Sequence, residues 1–419
     1  LDGEACKSNL KIAETFIFVT KHGETLRNAY GTRYSLFLLG FYVVLVMDMR
    51  KVFGVLIPVL LVLSGVGVAQ VSAETQSLVI LVSDNEADLT LAQKVGELLN
   101  ATVVVTKWGM FNESVISQIV DLSPDIVLII GGPLAVVSVY KDELENLGIN
   151  VTRIGGQDRV ETNQGLIEFL LENYPDTLNN VTVAIAYGWD YAAMLHLRNK
   201  GCIIPILVKN DTVNETIVKQ FRNVEIVRSK FSERIMKRVK EKVGVKVREV
   251  IANITSEEAK EAIEVAQEKV TLAESILANV TNPSAERLVE LAKEKLELAK
   301  KAYEEGKYGE AFGLAVASRR LAEVVISYST KEFERSMKMN YVMRLRLRIR
   351  VLERVMLRLE AGGANVSIEK ELLEQAKMAL KNGDIGKAKM LIEEIEKGLR
   401  EKIKEKRINR GKGKKIGGR

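Results

Sequence analysis

The 419-residue chain predicts an α/β fold, a parallel sheet built from degenerate repeats, followed by a separate all-α domain of helical hairpins or a bundle. Three observations carry that expectation. Short, continuous runs of branched apolar residues, such as Ile126 to Ile130, end in Gly-Gly turns, as strands of a parallel sheet covered on both faces do. These runs alternate with helical patterns. After Ala252 the texture changes to long stretches of Glu, Lys, Ala and Leu.

In chain order, residues 1–48 read as a leader extended upstream of the true start, which is expected at Met47 or Met49. Residues 49–73 carry the layout of a secretory signal peptide: Arg50-Lys51, the apolar run Val52 to Ala69, and the small-residue site Val71-Ser72-Ala73. An uncleaved N-terminal membrane anchor is the alternative, because the run approaches the roughly 20 residues that span a bilayer. Both readings place the remainder outside the cytoplasm, secreted or at the cell surface. Asn-x-Ser/Thr triplets at Asn100, Asn112, Asn150, Asn180, Asn210, Asn214, Asn253, Asn279 and Asn365 all lie downstream of Ala73, which points to a glycoprotein. The alternative is that Asn and Thr populate turns there.

Residues 74–252 form the expected α/β domain. Ser77 to Leu89 read as a strand and the start of a helix, with Asp84 and Asp88 at the strand's carboxyl end. A second strand, Ile126 to Ile130, ends in Gly131-Gly132. A helical pattern follows, then a strand ending in Gly155-Gly156, and QDRVET opens the next helix. Without Cβ atoms, such turns bend sharply and admit a close neighbour at the sheet rim, where α/β folds place their ligands.

GGPLAVV, GINVTRIGG and QDRVET resemble the cell wall-binding repeat 2 family. Its members read roughly as strand, Gly-Gly, Ala-Val-Ser, helix, Arg-Ile-x-Gly-x-Asp-Arg-Tyr-x-Thr. Val160 stands where that family has Tyr; Ser83 and Glu86 replace a Gly and a Phe of its first strand motif. The likeness covers residues 77–170 and extends weakly to about residue 250. It implies a Rossmann-like parallel sheet and noncovalent attachment to an envelope polysaccharide or anionic polymer, with no reaction catalysed. A diverged second copy follows: Asn112-Glu113-Ser114 pairs with Asn214-Glu215-Thr216, and Val181 to Leu195 matches the first strand and helix. No Gly-Gly closes it, so the chain offers about one and a half copies where the family carries three.

Residues 255–399 form the helical half. Thr255 and Glu258 make a capping box, and Ala259, Ile263, Ala266, Val270, Ala273 and Leu277 follow at spacings of three and four. Two segments 77 residues apart repeat each other around Gly306-x-x-Gly309 and Gly383-x-x-Gly386, each expected to join two helices in a coiled-coil-like hairpin. Between them Leu345, Ile349, Leu352, Met356 and Leu359 continue an apolar seam, with Arg344, Arg346, Arg348, Arg350, Arg354 and Arg358 on the other faces. That basic face reads as solvated or as a dock for acidic glycan or protein.

The net charge of +6 is unevenly placed. Residues 400–419 hold ten Lys/Arg against two Glu, and residues 74–399 hold 44 against 48. The segment 400–419 is therefore expected to be a flexible basic tail able to touch anionic headgroups, and the basic pI does not argue for nucleic acid. Abundant Glu, Lys, Val and Ile with few Cys and His is thermophile-like. With Cys6 in the leader, Cys202 stands alone and no disulfide is expected.

His196 is the one histidine after residue 73, which leaves triads and His-rich metal sites almost no material. Walker, Gly-x-Gly-x-x-Gly and Cys-x-x-Cys motifs are missing, so no cofactor or metal is called for. The polymer-binding candidates are Asp84, Asp88, Asp158, Arg159, Thr162, Trp189 and Tyr191. Asp84 is equally suited to cap the helix after it, and Asp158 the helix after Gly155-Gly156. Arg159 offers a planar fork to a carboxylate or phosphate, inside the protein or on a polymer. Rings of the Tyr187 to Tyr191 loop suit sugar faces or core packing. The expected function is a non-catalytic surface protein bound to an envelope polymer. The alternatives are assembly with itself or with surface-layer proteins through the helical half, and a glycan-modifying enzyme using Asp84 and Asp88.

Overall fold

The computed structural model describes residues 77–416 except 180, 202, 244–246 and 279–281. The expected leader and signal peptide, Cys202, Asn180 and Asn279 lie outside the described residues. Strands β1 (Leu78–Ser83), β2 (Thr102–Thr106), β3 (Ile126–Ile130) and β4 (Asn150–Ile154) form one sheet in the order β2-β1-β3-β4, every pair parallel. Helices α1 (Glu86–Leu99), α2 (Glu113–Leu122), α3 (Ser138–Asn146) and α4 (Arg159–Asn173) follow the strands in turn. Strand residues alternate between two cores. Ile80, Val82, Leu128 and Ile130 face one, and Val79, Leu81, Val127 and Ile129 the other, which is why these strands read as unbroken apolar runs.

The second copy is complete, which corrects the count of one and a half. Strands β5 (Thr182–Tyr187), β6 (Ile203–Val208), β7 (Asn223–Arg228) and β8 (Arg248–Ile251) form a second parallel sheet in the order β6-β5-β7-β8, the same arrangement as the first. Helices α5 (Tyr191–Arg198), α6 (Glu215–Val218) and α7 (Glu233–Val243) intervene. Sequence reasoning missed β8 because this edge strand is largely exposed and carries no apolar run. Pro205 is tolerated in edge strand β6 because buried Asn163 of α4 completes that edge, donating to the Pro205 carbonyl (2.8 Å) and accepting from the Leu207 N–H (2.7 Å).

The two Gly-Gly turns pack backbone on backbone. A Cβ on Gly155 would lie 2.8 Å from the carbonyl of Gly131, and one on Gly156 would lie 2.3 Å from Cβ of Glu161. Gly131 has φ +119° and donates to the Ile154 carbonyl (2.8 Å), while the Arg153 guanidinium donates to the carbonyls of Gly131 (2.9 Å) and Val136 (2.7 Å). The close neighbour that these glycines admit is therefore another turn.

Helices α8 (Ser256–Leu277), α9 (Pro283–Glu304) and α10 (Tyr308–Met339) share a core of Ala266, Ala273, Ala292, Ala299, Ala315 and Ala322, small residues that let the axes approach. The Thr255–Glu258 capping box forms at the start of α8, and Asn282 caps α9 with Pro283 in its first turn. Helices α11 (Tyr341–Ala361), α12 (Ser367–Lys381) and α13 (Ile385–Ile416) complete the chain. Gly306 and Gly383, at φ +77° and +79°, end α9 and α12 in the left-handed conformation expected of them. The seam Leu345, Ile349, Leu352, Met356 and Leu359 is buried in the same core as Val79, Leu81, Val127 and Ile129, so these helices pack over the first sheet's α2 and α3 layer.

The expected flexible tail is instead the continuation of α13 through Ile416. Leu399 and Ile403 extend the apolar stripe into the core, and the basic residues find acids: Lys402 pairs with Glu369 (2.7 Å), Lys406 with Asp121 (2.6 Å) and Arg407 with Asp125 (3.5 Å).

One buried polar cluster joins the layers. Glu143 of α3 lies 3.9 Å from Arg348 of α11, which pairs at 2.6 Å with Glu396 of α13. Burial pushes the Glu143 carboxyl from 4.5 to about 8 despite the guanidinium. The folded state thus holds this proton more tightly than the unfolded chain, and stability falls as pH rises from about 4.5 to about 8. Glu143→Gln is expected to flatten that decline, read as melting temperature against pH. Gly155→Ala is expected to destabilise by about 2 kcal/mol or more in urea titration, and exposed Gly201→Ala by less than about 0.5 kcal/mol.

Candidate functional site

In each sheet the strand order reverses between the two central strands, and α/β folds take ligands at the carboxyl ends of such strands, here called the mouth of the sheet. In the first sheet it lies between the loops after β1 and β3. Asn85, and not Asp84, caps α1, accepting from the Ala87 N–H (3.2 Å). The Asp84 carboxylate accepts the Trp108 N–H (2.8 Å) and the Nζ of Lys269 on α8 (2.9 Å), whose side chain is almost wholly buried. Asp88 points toward Gly131; its Oδ1 is buried with no hydrogen-bond partner among the described residues. Burial raises its carboxyl from 3.8 to about 6, against the pull of Arg159.

Helix α10 lies across this mouth. Arg319 pairs with Glu86 and with Glu323 (3.2 Å), Thr330 donates to the Gly109 carbonyl (2.9 Å), and Glu334 accepts the Ser138 N–H (2.6 Å). Asp84 therefore faces the chain's own helix α8, and Asp88 is buried beside the Gly131 turn.

The QDRVET turn links the two copies. Asp158 caps α4, accepting from the N–H groups of Val160 (2.9 Å) and Glu161 (3.1 Å), and pairs with Lys209 (2.7 Å) after β6. Thr162 Oγ1 donates to the Asp158 carbonyl and accepts the Gly156 N–H, both at 3.0 Å. Arg159 donates to the Gly188 carbonyl (3.2 Å) and the Tyr191 hydroxyl (3.0 Å), its guanidinium 5.8 Å from the centre of the Trp189 ring. Tyr191 is buried, with Arg159, Arg319 and Arg320 packed around its ring at 4.8 to 5.1 Å, so it presents no face to solvent.

The second sheet's mouth has a different character. Tyr187 at the end of β5 and Trp189 after it lie 5.4 Å apart between ring centres, and Phe231 after β7 lies 6.1 Å from Tyr187. Phe231 is 68% exposed. Its loop is held by Asp190, a fully buried carboxylate that accepts the Ser229 N–H (2.8 Å), the Ser229 hydroxyl (2.9 Å), the Ser232 hydroxyl and the Ala193 N–H (3.1 Å). Exposed Lys230 lies on the Phe231 loop, half-buried Arg159 reaches the β5 loop from the start of α4 through the Gly188 carbonyl, and exposed Lys209 follows β6. Of the residues proposed from sequence, the structure brings Asp158, Arg159 and Trp189 together here and sets Asp84 under α8. Phe231, Lys209 and Lys230 were missed. The signal for Phe231 and Lys230 was an aromatic in the polar run Ser229 to Ser232, where the first copy has its Gly-Gly.

His196 is half-buried in α5, with Nε2 unpartnered and its pKa lowered by burial and by Lys200. The described sequon asparagines Asn100, Asn112, Asn150, Asn210, Asn214, Asn253 and Asn365 are all exposed; Asn112 and Asn214 also cap α2 and α6. Among the described residues no three His, Cys, Asp or Glu side chains converge as a metal site, and no helix is long and apolar enough to cross a membrane.

Replacing Asp190 with Ala strands two hydroxyls and two N–H groups in the interior. The variant is expected to lose about 2–4 kcal/mol in urea titration and to shift the Trp189 emission, because the Phe231 loop is released.

No family model matches the chain. It is similar to an uncharacterized protein of Methanocaldococcus jannaschii, 41% identical over 160 residues, which are 37% of this chain and 46% of that protein. Uncharacterized proteins of Pyrococcus abyssi and Pyrococcus horikoshii are each 29% identical over 150 residues, 35% of this chain and 44% of theirs. The matched region thus spans less than half the length of these curated relatives. Among solved structures, Cwp6 from Clostridium difficile is a distant neighbour, with a TM-score of 0.33 and 21% identity over 42% of this chain and 29% of that one.

Proposed function

We propose that the protein is a non-catalytic surface protein that attaches noncovalently to a cell-envelope polysaccharide or anionic polymer through the mouth of its second sheet. The observation that carries this reading is the rim of Tyr187, Trp189 and Phe231 on loops fixed by Asp190, with Arg159, Lys209 and Lys230 around it. Aromatic faces stack on the apolar faces of sugar rings, and guanidinium and ammonium groups take carboxylate or phosphate substituents. Preorganised loops limit the entropy lost on binding. The resemblance of GINVTRIGG and QDRVET to the cell wall-binding repeat 2 family supports the same class of ligand, and the pairing of Asp84 with Lys269 supports reading that carboxylate as structural.

The test is co-sedimentation of the protein with purified envelopes at low and moderate salt, followed by analysis of the envelope glycans. Binding is expected, with Phe231→Ala and Trp189→Ala each weakening it about tenfold or more, and with glycan composition unchanged. Failure to pellet, or pelleting of both variants like the parent, would overturn the reading.

A further inference from the structure

The corner between α10 and α11 has a composition that neither the fold nor the proposed polymer site uses. From Arg335 to Leu352 the chain contains no acid, and it carries Arg335, Lys338, Arg344, Arg346, Arg348 and Arg350. Arg348 turns inward to Glu396, and Arg350 pairs with Glu113. Arg335, Lys338, Arg344 and Arg346 are exposed and make no ion pair among the described residues. Of the flanking acids, Glu334 accepts the Ser138 N–H and Glu353 pairs with Lys377, and Glu332 is exposed one turn before Arg335.

The same corner displays apolar side chains. Only Asn340 separates the two helices, and its side chain caps α11 through the Met343 N–H (3.0 Å). On either side of this hinge Met339 is 79% exposed, Met343 39% and Tyr341 37%. The Arg344 guanidinium lies 5.3 Å from the centre of the Tyr341 ring. An apolar apex ringed by unpaired cations matches the boundary between anionic headgroups and acyl chains. Thioethers and a tyrosine ring enter the acyl edge there, and arginine and lysine stems extend to the phosphates.

We infer that the α10–α11 corner docks on an anionic lipid surface, with Met339, Tyr341 and Met343 entering the headgroup layer and Arg335, Lys338, Arg344 and Arg346 contacting lipid phosphates. Charge complementarity decides for lipid over a second copy of the chain, which would bring like charges together. The exposed methionines decide against nucleic acid, whose phosphates offer them no apolar phase.

Full-length protein is mixed with vesicles of phosphatidylcholine alone or of phosphatidylcholine with phosphatidylglycerol, and the bound fraction is measured by sedimentation. Pure phosphatidylcholine registers whatever the apolar run Val52 to Ala69 contributes, so the corner is read as the gain with anionic lipid. Arg344→Gln combined with Arg346→Gln is expected to reduce that gain about twentyfold, and Met339→Asp to reduce it about tenfold, both with the parent's circular dichroism spectrum. Equal binding to the two vesicle types, or a double arginine variant that binds like the parent, would overturn the inference. So would a double-stranded oligonucleotide that binds the corner tightly and is indifferent to Met339→Asp, since the surface would then belong to nucleic acid.

Discussion

The ion pair between Asp84 and Lys269 sets the character of the whole molecule. Its partners come from the first strand loop and from α8, and Lys269 is almost wholly buried, so it cannot lose Asp84 without standing uncompensated in a low dielectric, whereas Asp84 also has Lys107 at 3.6 Å. Arg319 repeats the arrangement a few residues away with Glu86 and Glu323. Buried pairs of this kind add little net stability compared with apolar packing, but they discriminate sharply between one seating of α8 and α10 and any other. Once those helices are seated, α8 and α10 cover the Asp84 and Glu86 side of the first sheet's mouth.

The two sheets show how one topology supports different mouths. Strand order, direction and helix caps correspond: Asn85 and Asp190 cap the helices after the first strands, Asn112 and Asn214 those after the second. In the first copy the ends of β3 and β4 are tied by direct backbone contact, which only glycine permits. In the second copy Ser229 and Lys230 follow β7, and the loop is tied by hydrogen bonds to the Asp190 carboxylate. A side-chain anchor leaves Cβ atoms in place, so this loop can carry an aromatic ring at its tip. Loss of the Gly-Gly is thus the change that allows Phe231 to be displayed.

Legibility followed the range of the interactions. Buried strands, the capping box and the helix junctions at Gly306 and Gly383 depend on a few neighbouring residues and could be read directly. Strand β8 could not, because an exposed edge carries no apolar period. The helical course of residues 400–416 was hidden by composition: its lysines and arginines read as a tail, although Leu399 and Ile403 kept the stripe and Asp121, Asp125 and Glu369 supplied distant counter-charges. Asp84 was misplaced for the same reason, since its partner Lys269 lies 185 residues away and nothing local distinguishes it from the adjacent cap Asn85.

A single exposed apolar side chain is ordinary on any protein surface and needs no explanation. Phe231 differs because its position is enforced. Asp190 is desolvated to hold the turn beneath it, and desolvating a carboxylate is favourable only when several donors converge, as Ser229, Ser232 and Ala193 do here. A turn serving only to connect β7 to α7 would not require that anchor, because any polar loop could make the connection in water. The buried charge fixes Phe231 against Tyr187 and Trp189 in advance, so an incoming ring would meet a surface whose ordering entropy has already been lost in folding. The exposed ring of Phe231 and the half-buried rings of Tyr187 and Trp189 thus sit on a turn whose position is set by the protein's interior and not by solvent.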